Sequence, residues 1–192
     1  MLDLENDPRW RRLQTQGIPC STCDQIHVGV FDLGLARPDL WPISEGFSPN
    51  SAVEVSDNFC SEDFCILGGE HYFIRCLLEL PIVGAGEQKF GYGVWSSLSE
   101  DNFRLYVDHF DDGDLASLGP WFGWFSNRLN GYPDTTSLKC QIHPQGDHQR
   151  PSVELEANGH PLSDEQINGI GFDRLLEIYT LNGHDMDNVV TD

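Results

Sequence analysis

From His71 to Ile82 the apolar side chains fall on alternate positions. Tyr72, Ile74, Cys76, Leu78 and Leu80 share one face, and His71, Phe73, Arg75, Leu77 and Glu79 share the other. A period of two is the mark of a strand, so this segment reads as a strand with one core face and one mixed face. Phe64 to Leu67 is a short apolar run closed by Gly68-Gly69, a hairpin-type turn signal. Lys89 to Ser97 is the next strand. Gly91, Gly93 and Trp95 lie on one of its faces, where the glycines leave room for a close neighbour, for which a helix packed on the sheet is the simplest candidate. Thr135 to His143 and Pro151 to Glu156 complete the strand set.

The period then changes to that of a helix. After Ser99, an N-cap followed by Glu100 and Asp101, the residues Phe103, Tyr106, Val107 and Phe110 form an apolar stripe. The acidic Asp111-Asp112-Gly113-Asp114 stretch closes it as a solvated turn. Trp121 to Phe125 reads as an aromatic cluster for the core. Ser163 with Gln166 has the spacing of a capping box. It predicts a short carboxy-terminal helix, a break at Gly169 and Gly171, and a longer helix carrying Leu175, Leu176, Ile178 and Tyr179. The pattern therefore predicts one α+β domain over residues 20–182, with a mainly antiparallel sheet of five or six strands and helices packed on it. Residues 1–19 read as a polar, turn-prone arm in which Trp10, Leu13 and Ile18 can dock, and 183–192 as a flexible tail.

Composition narrows the function. Of 192 residues, 31 are acidic and 11 basic, a net charge of −20 that opposes a phosphate backbone and argues against nucleic-acid binding. The same field suits solubility, or a basic protein partner. No apolar run approaches the ~20 residues of a membrane helix. The first residues, with Asp3, Glu5 and Asp7, do not resemble an export signal. The expectation is a cytoplasmic protein whose six cysteines are thiols or thiolate ligands.

Cys20-Ser21-Thr22-Cys23 with His27 is the strongest chemical motif. Closely spaced thiolates and an imidazole suit tetrahedral Zn²⁺. Cys140-Gln141-Ile142-His143 offers a second pair that only the fold can bring to the first, and the predicted ligand set is Cys20, Cys23, His27 and His143. Four protein ligands make a structural site, whereas three with an open position would serve a metal-assisted hydrolase. A redox use of the thiol pair lacks the strand-to-helix context that such motifs need. A second candidate site consists of Arg75, Asn127, Arg128 and His160, polar groups in otherwise apolar segments. They are expected to converge on a concavity with Tyr132-Pro133-Asp134 at its rim and to bind a small ligand.

Several of these stretches resemble a bacterial family catalogued as domain of unknown function 2199. The resemblance runs through Phe73-Ile74-Arg75-Cys76-Leu77-Leu78-Glu79-Leu80-Pro81, Trp95-Ser96-Ser97-Leu98-Ser99 and Phe122-Gly123-Trp124-Phe125-Ser126-Asn127-Arg128-Leu129. It continues in Gly131-Tyr132-Pro133-Asp134-Thr135, His160-Pro161-Leu162 and Glu165-Gln166, and includes the amino-terminal C-x-x-C with its following His. Asp24 stands where the family commonly has Gly, Asn130 where it has Pro, and Cys140 matches no usual family cysteine. The family has no established activity, so the resemblance implies kinship. Two functions from different classes follow: a zinc-binding accessory or ligand-binding domain without catalysis, and an acidic, immunity-type protein that binds a basic partner.

Overall fold

The segment with strict alternation, His71–Pro81, is the longest strand of the protein in the computed structural model, which describes residues 4–20, 22, 24–42, 52–112 and 115–184. In chain order the elements are helix α1 (Pro8–Thr15), β1 (Ile18–Pro19), β2 (Ile26–His27), β3 (Leu33–Gly34), β4 (Val53–Val55) and β5 (Asn58–Cys60). Then come β6 (Phe64–Leu67), β7 (His71–Pro81), β8 (Lys89–Leu98), α2 (Glu100–Asp108) and β9 (Trp121–Trp124). The chain continues with β10 (Lys139–His143), β11 (Ser152–Leu155), α3 (Pro161–Asn168) and α4 (Phe172–Leu181).

The fold is mixed α and β, and its main sheet is mostly antiparallel, as the pattern predicts. Among the described residues the sheet has nine strands rather than five or six, and β1 and β2 form a separate ribbon. The extra strands β3, β4 and β5 are two or three residues long, too short to show a period. Trp121–Trp124, read as an aromatic cluster, is also a strand: Trp121 is buried while Phe122 and Trp124 face out.

Five of the strands close into a ring. β7 pairs along its length with β8, and β9, β10 and β11 follow one another antiparallel. β11 returns parallel to β7 at Ser152 and Leu77. A bridge between Ser96 and Phe125 links β8 to β9, supported by the Ser126 amide donating to the Trp95 carbonyl at 2.9 Å. Inside lie Ile74, Cys76, Leu78, Leu80, Phe90, Val94 and Ile142, all fully buried, in one cluster with the apolar faces of the four helices. The first face of the alternating strand is thus core. The second carries a smaller cluster of Trp41, Cys60, Cys65, Leu67, Phe73 and Trp95.

Four further expectations are corrected. The arm is a helix: Asp7 caps α1 through the Arg9 amide, Pro8 opens it, and Trp10 and Leu13 are buried. The glycine face of β8 is met by β3, with Gly34 opposite Gly93, rather than by a helix. The last strand pair starts at Lys139, because Thr135 is a buried loop residue whose Oγ1 donates to the Asn127 carbonyl at 2.6 Å. Ser163 and Gln166 do not form a capping box. His160 caps α3 by accepting from the Leu162 amide, Ser163 donates to the Glu156 carbonyl, and the Gln166 amide group ties to the backbone of Val153 and Leu155. The cap at Ser99 and the two-helix carboxy-terminal region follow the prediction. Among the described residues no helix is long and apolar enough to cross a membrane. Residues 113–114 of the acidic turn and 185–192 of the tail lie outside the described residues.

Candidate metal centre

Cys20 begins the turn of the β1–β2 ribbon. Its amide donates to the Gln25 carbonyl at 2.8 Å and its carbonyl accepts from the Asp24 amide at 3.0 Å, so the turn folds back on itself. His27 sits opposite Ile18 on the returning strand, and Cys20, two residues on from Ile18, shares that face with it. Cys23, the second thiol of the motif, lies outside the described residues.

The third ligand candidate comes from the far end of the chain. Helix α4 ends in a Schellman turn. The Gly183 amide donates to the Thr180 carbonyl at 3.1 Å and the His184 amide to the Tyr179 carbonyl at 2.9 Å, with Gly183 at φ 85°. That left-handed conformation needs a glycine, and it turns His184 back along the helix. Phe31 holds the helix end to the ribbon. Its ring stacks between His27 and Tyr179, with centroids 4.1 Å away on each side. The Tyr179 hydroxyl also accepts from the Phe31 amide and donates to its carbonyl, at 3.0 and 2.8 Å.

The result is that Cys20, His27 and His184 present one ligand atom each, all within 4.8 Å of one another. Cys20 Sγ is 3.8 Å from His184 Nδ1. A tetrahedral zinc with sulfur and nitrogen ligands spaces them by about 3.3–3.8 Å, so only a small inward movement separates this arrangement from a coordination shell. Cys20 is buried and both imidazoles are partly so.

His143 is not in this group. Its Nε2 lies 3.1 Å from Glu154 Oε2, on the outer side of the β10–β11 hairpin. Cys140 points into the ring, where it contacts Ser96 Oγ at 3.1 Å and burial pushes its thiol up to about 11. Residues three apart on a strand face opposite ways, so C-x-x-H cannot act as a ligand pair there. Cys76 is also a buried thiol whose pKa is raised by burial, and Cys65 is raised by its contact with Cys60 and by burial. All three are protonated at neutral pH and serve as core.

The other predicted residues have separate surroundings. Asn127 is fully buried: Oδ1 accepts from the Trp95 amide at 2.7 Å, and Nδ2 donates to the Arg37 carbonyl and to Asp39 Oδ1. Asp39 also takes the Arg128 amide at 2.8 Å, so Asn127 and Arg128 meet at this carboxylate. The Arg128 side chain pairs with Asp134 at 3.5 Å and lines a groove of about 540 Å³ with Trp124, His71 and Asp39. Hydrogen bonds from Thr136 hold the Asp134 carboxyl below its ordinary range. Tyr132 is turned inward, donating to Glu165 at 2.5 Å beneath the Arg174 guanidinium. His160 caps α3 with Nδ1 while its Nε2 is buried without a hydrogen bond. Arg75 lies on the outer face of β7, directly across from Trp95.

Asp24 has φ 57°, the left-handed region, which costs an ordinary side chain about 1–2 kcal/mol and glycine nothing. Asp24→Gly is therefore expected to raise stability by about 0.5–1 kcal/mol. Urea denaturation measures it, and a loss of stability would show that the Asp24 side chain holds the turn.

The fold and this cluster define a small closed-barrel protein of mixed α and β structure with a thiol–imidazole group where the β1–β2 ribbon meets the end of α4. The chain belongs to the family described as an uncharacterised protein conserved in bacteria, domain of unknown function 2199, whose model matches residues 19–170. No curated protein and no solved structure matches it. Cys20 and His27 fall inside the matched stretch and His184 beyond it.

Proposed function

We propose that the protein is a cytoplasmic, non-catalytic binding module stapled by a structural Zn²⁺. The ligands are Cys20, His27 and His184, with Cys23 as the fourth by its place in the motif. The observation that supports this is the approach of three ligand atoms to within 4.8 Å from residues 164 positions apart at the extremes. Two thiolates and two imidazoles satisfy zinc fully and leave no position for water, which favours a staple over a hydrolase.

The test is metal content. Protein made without chelator is expected to carry one zinc per chain by elemental analysis, and Cys20→Ser and Cys23→Ser to carry far less. Replacement by Co²⁺ reads the ligand set, because thiolate-to-cobalt charge transfer weakens with each cysteine removed and tetrahedral sites absorb strongly. Zinc content near zero, or an octahedral cobalt spectrum, would overturn the reading. A second reading, an acidic protein binding a basic partner, draws on the excess of 31 acidic over 11 basic residues.

A further inference from the structure

The outer face of β7 carries a guanidinium, that of Arg75, with which no carboxylate among the described residues forms a direct ion pair. Arg9, Arg104, Arg128, Arg150 and Arg174 each pair with a carboxylate. Among the described residues Arg75 does not, and Asp63 and Glu62 act on it through charge alone. Its Nε is buried with no hydrogen-bond partner. Asp63, whose carbonyl accepts from the Arg75 amide at 3.0 Å, gives its carboxylate to Arg150 at 2.9 Å. Burial, and after it the charge of Arg150, lowers the Arg75 pKa from the ordinary arginine value. A guanidinium still keeps its proton in a protein, and Asp63 and Glu62 offset its charge only in part, through their field rather than a direct bond.

The backbone around Arg75 is cut back to receive it. Gly34 on β3 pairs with Gly93 on β8, and both lie beneath the side chain. A Cβ at Gly34 would stand 2.8 Å from Nη2, and one at Gly93 would stand 3.5 Å from it. The guanidinium is therefore laid over two glycines, beside the fully buried Trp95 across the strand pair. A planar fork of donors fixed against apolar surface is suited to a bidentate oxyanion, and partial desolvation strengthens each bond it makes. The alternative for an unpaired arginine is to extend its head into water. Here the Nε end is buried and only part of the residue is exposed.

We propose that Arg75 anchors an oxyanion-binding site on the outer face of the barrel, taking the carboxylate or phosphate group of a small ligand. Gly34 and Gly93 hold the guanidinium flat, and Arg150 adds positive potential from the side of Asp63. The site is independent of the metal cluster.

The direct readout is the Nε–Hε NMR cross-peak of Arg75, assigned by its loss in Arg75→Lys. The full-length protein is titrated with potassium phosphate and, separately, with potassium succinate, against potassium chloride of equal ionic strength. A saturable movement of this peak with either anion is expected, and which anion moves it distinguishes phosphate from carboxylate. The same anion should raise Tm by roughly 3–6 °C at tenfold excess over its Kd, an effect that Arg75→Met abolishes. A peak unmoved by both anions overturns the site, as does a Tm rise that persists in Arg75→Met. Should Arg75→Met not fold, the peak titration on the unsubstituted protein decides.

Discussion

With the cluster loaded as proposed, stripping zinc with a strong chelator is expected to lower Tm by about 8–16 °C. A ligand held a thousandfold above its Kd stabilises the folded state by about 4 kcal/mol, and for a chain of this size each kcal/mol is worth about 2–4 °C. His184→Ala should reproduce much of that fall and leave a smaller further response to chelator. The loss should also be local before it is global. Tyr179 and Phe31 hold each other through two hydrogen bonds and a stacked pair, so the ribbon and the end of α4 loosen together once the cluster opens. Hydrogen exchange should accelerate at Gly29 to Phe31 and at Ile178 to His184, with the β7–β8 amides unchanged. A Tm indifferent to both chelator and His184→Ala would leave the cluster with no structural role.

The sequence made part of this arrangement legible. Alternation identified β7 and its core face, and Ser99 identified the start of α2. Cys20 and His27 were visible because they are near neighbours in the chain. His184 was hidden by distance, since nothing local ties it to a thiol 164 residues away. A signal did exist in Asn182-Gly183, a helix stop that places the following residue back against the helix. Reading the tail as frayed from Gly183 discarded it. His143 shows the opposite error. The spacing of Cys140 and His143 looked like a ligand pair, but the strand predicted for the same residues already put the two on opposite faces. The missing strands had a different cause: two or three residues give no period, and they form only because neighbouring edges accept them. Arg75 was legible as an anomaly, a charge in an apolar strand. That no described carboxylate bonds to it directly depends on the tertiary structure.

Asn127→Leu is expected to cost about 3–5 kcal/mol, a fall in Tm of roughly 6–20 °C. Asn127 is fully buried and joins three parts of the fold. It accepts from the Trp95 amide of β8, donates to the Arg37 carbonyl and Asp39 in the loop before β4, and its own carbonyl takes the Thr135 hydroxyl. Leucine fills a similar volume and can make none of the side-chain bonds, so the buried Trp95 amide loses its acceptor and the Arg37 carbonyl its donor. An unsatisfied buried group costs about 1–3 kcal/mol each, which is the origin of the figure. Asn127→Asp keeps the acceptor for Trp95 but sets a second carboxylate within hydrogen-bonding distance of Asp39, and should be no milder. Arg128→Ala is the control: its side chain is largely exposed and its pairing with Asp134 is long at 3.5 Å, so it should change stability by less than about 1 kcal/mol. Urea denaturation of the three variants separates the outcomes. If Asn127→Leu unfolds at the same urea concentration as the unsubstituted protein, Asn127 is not the tie between β8 and the loop, and its amide becomes a candidate for contact with a ligand.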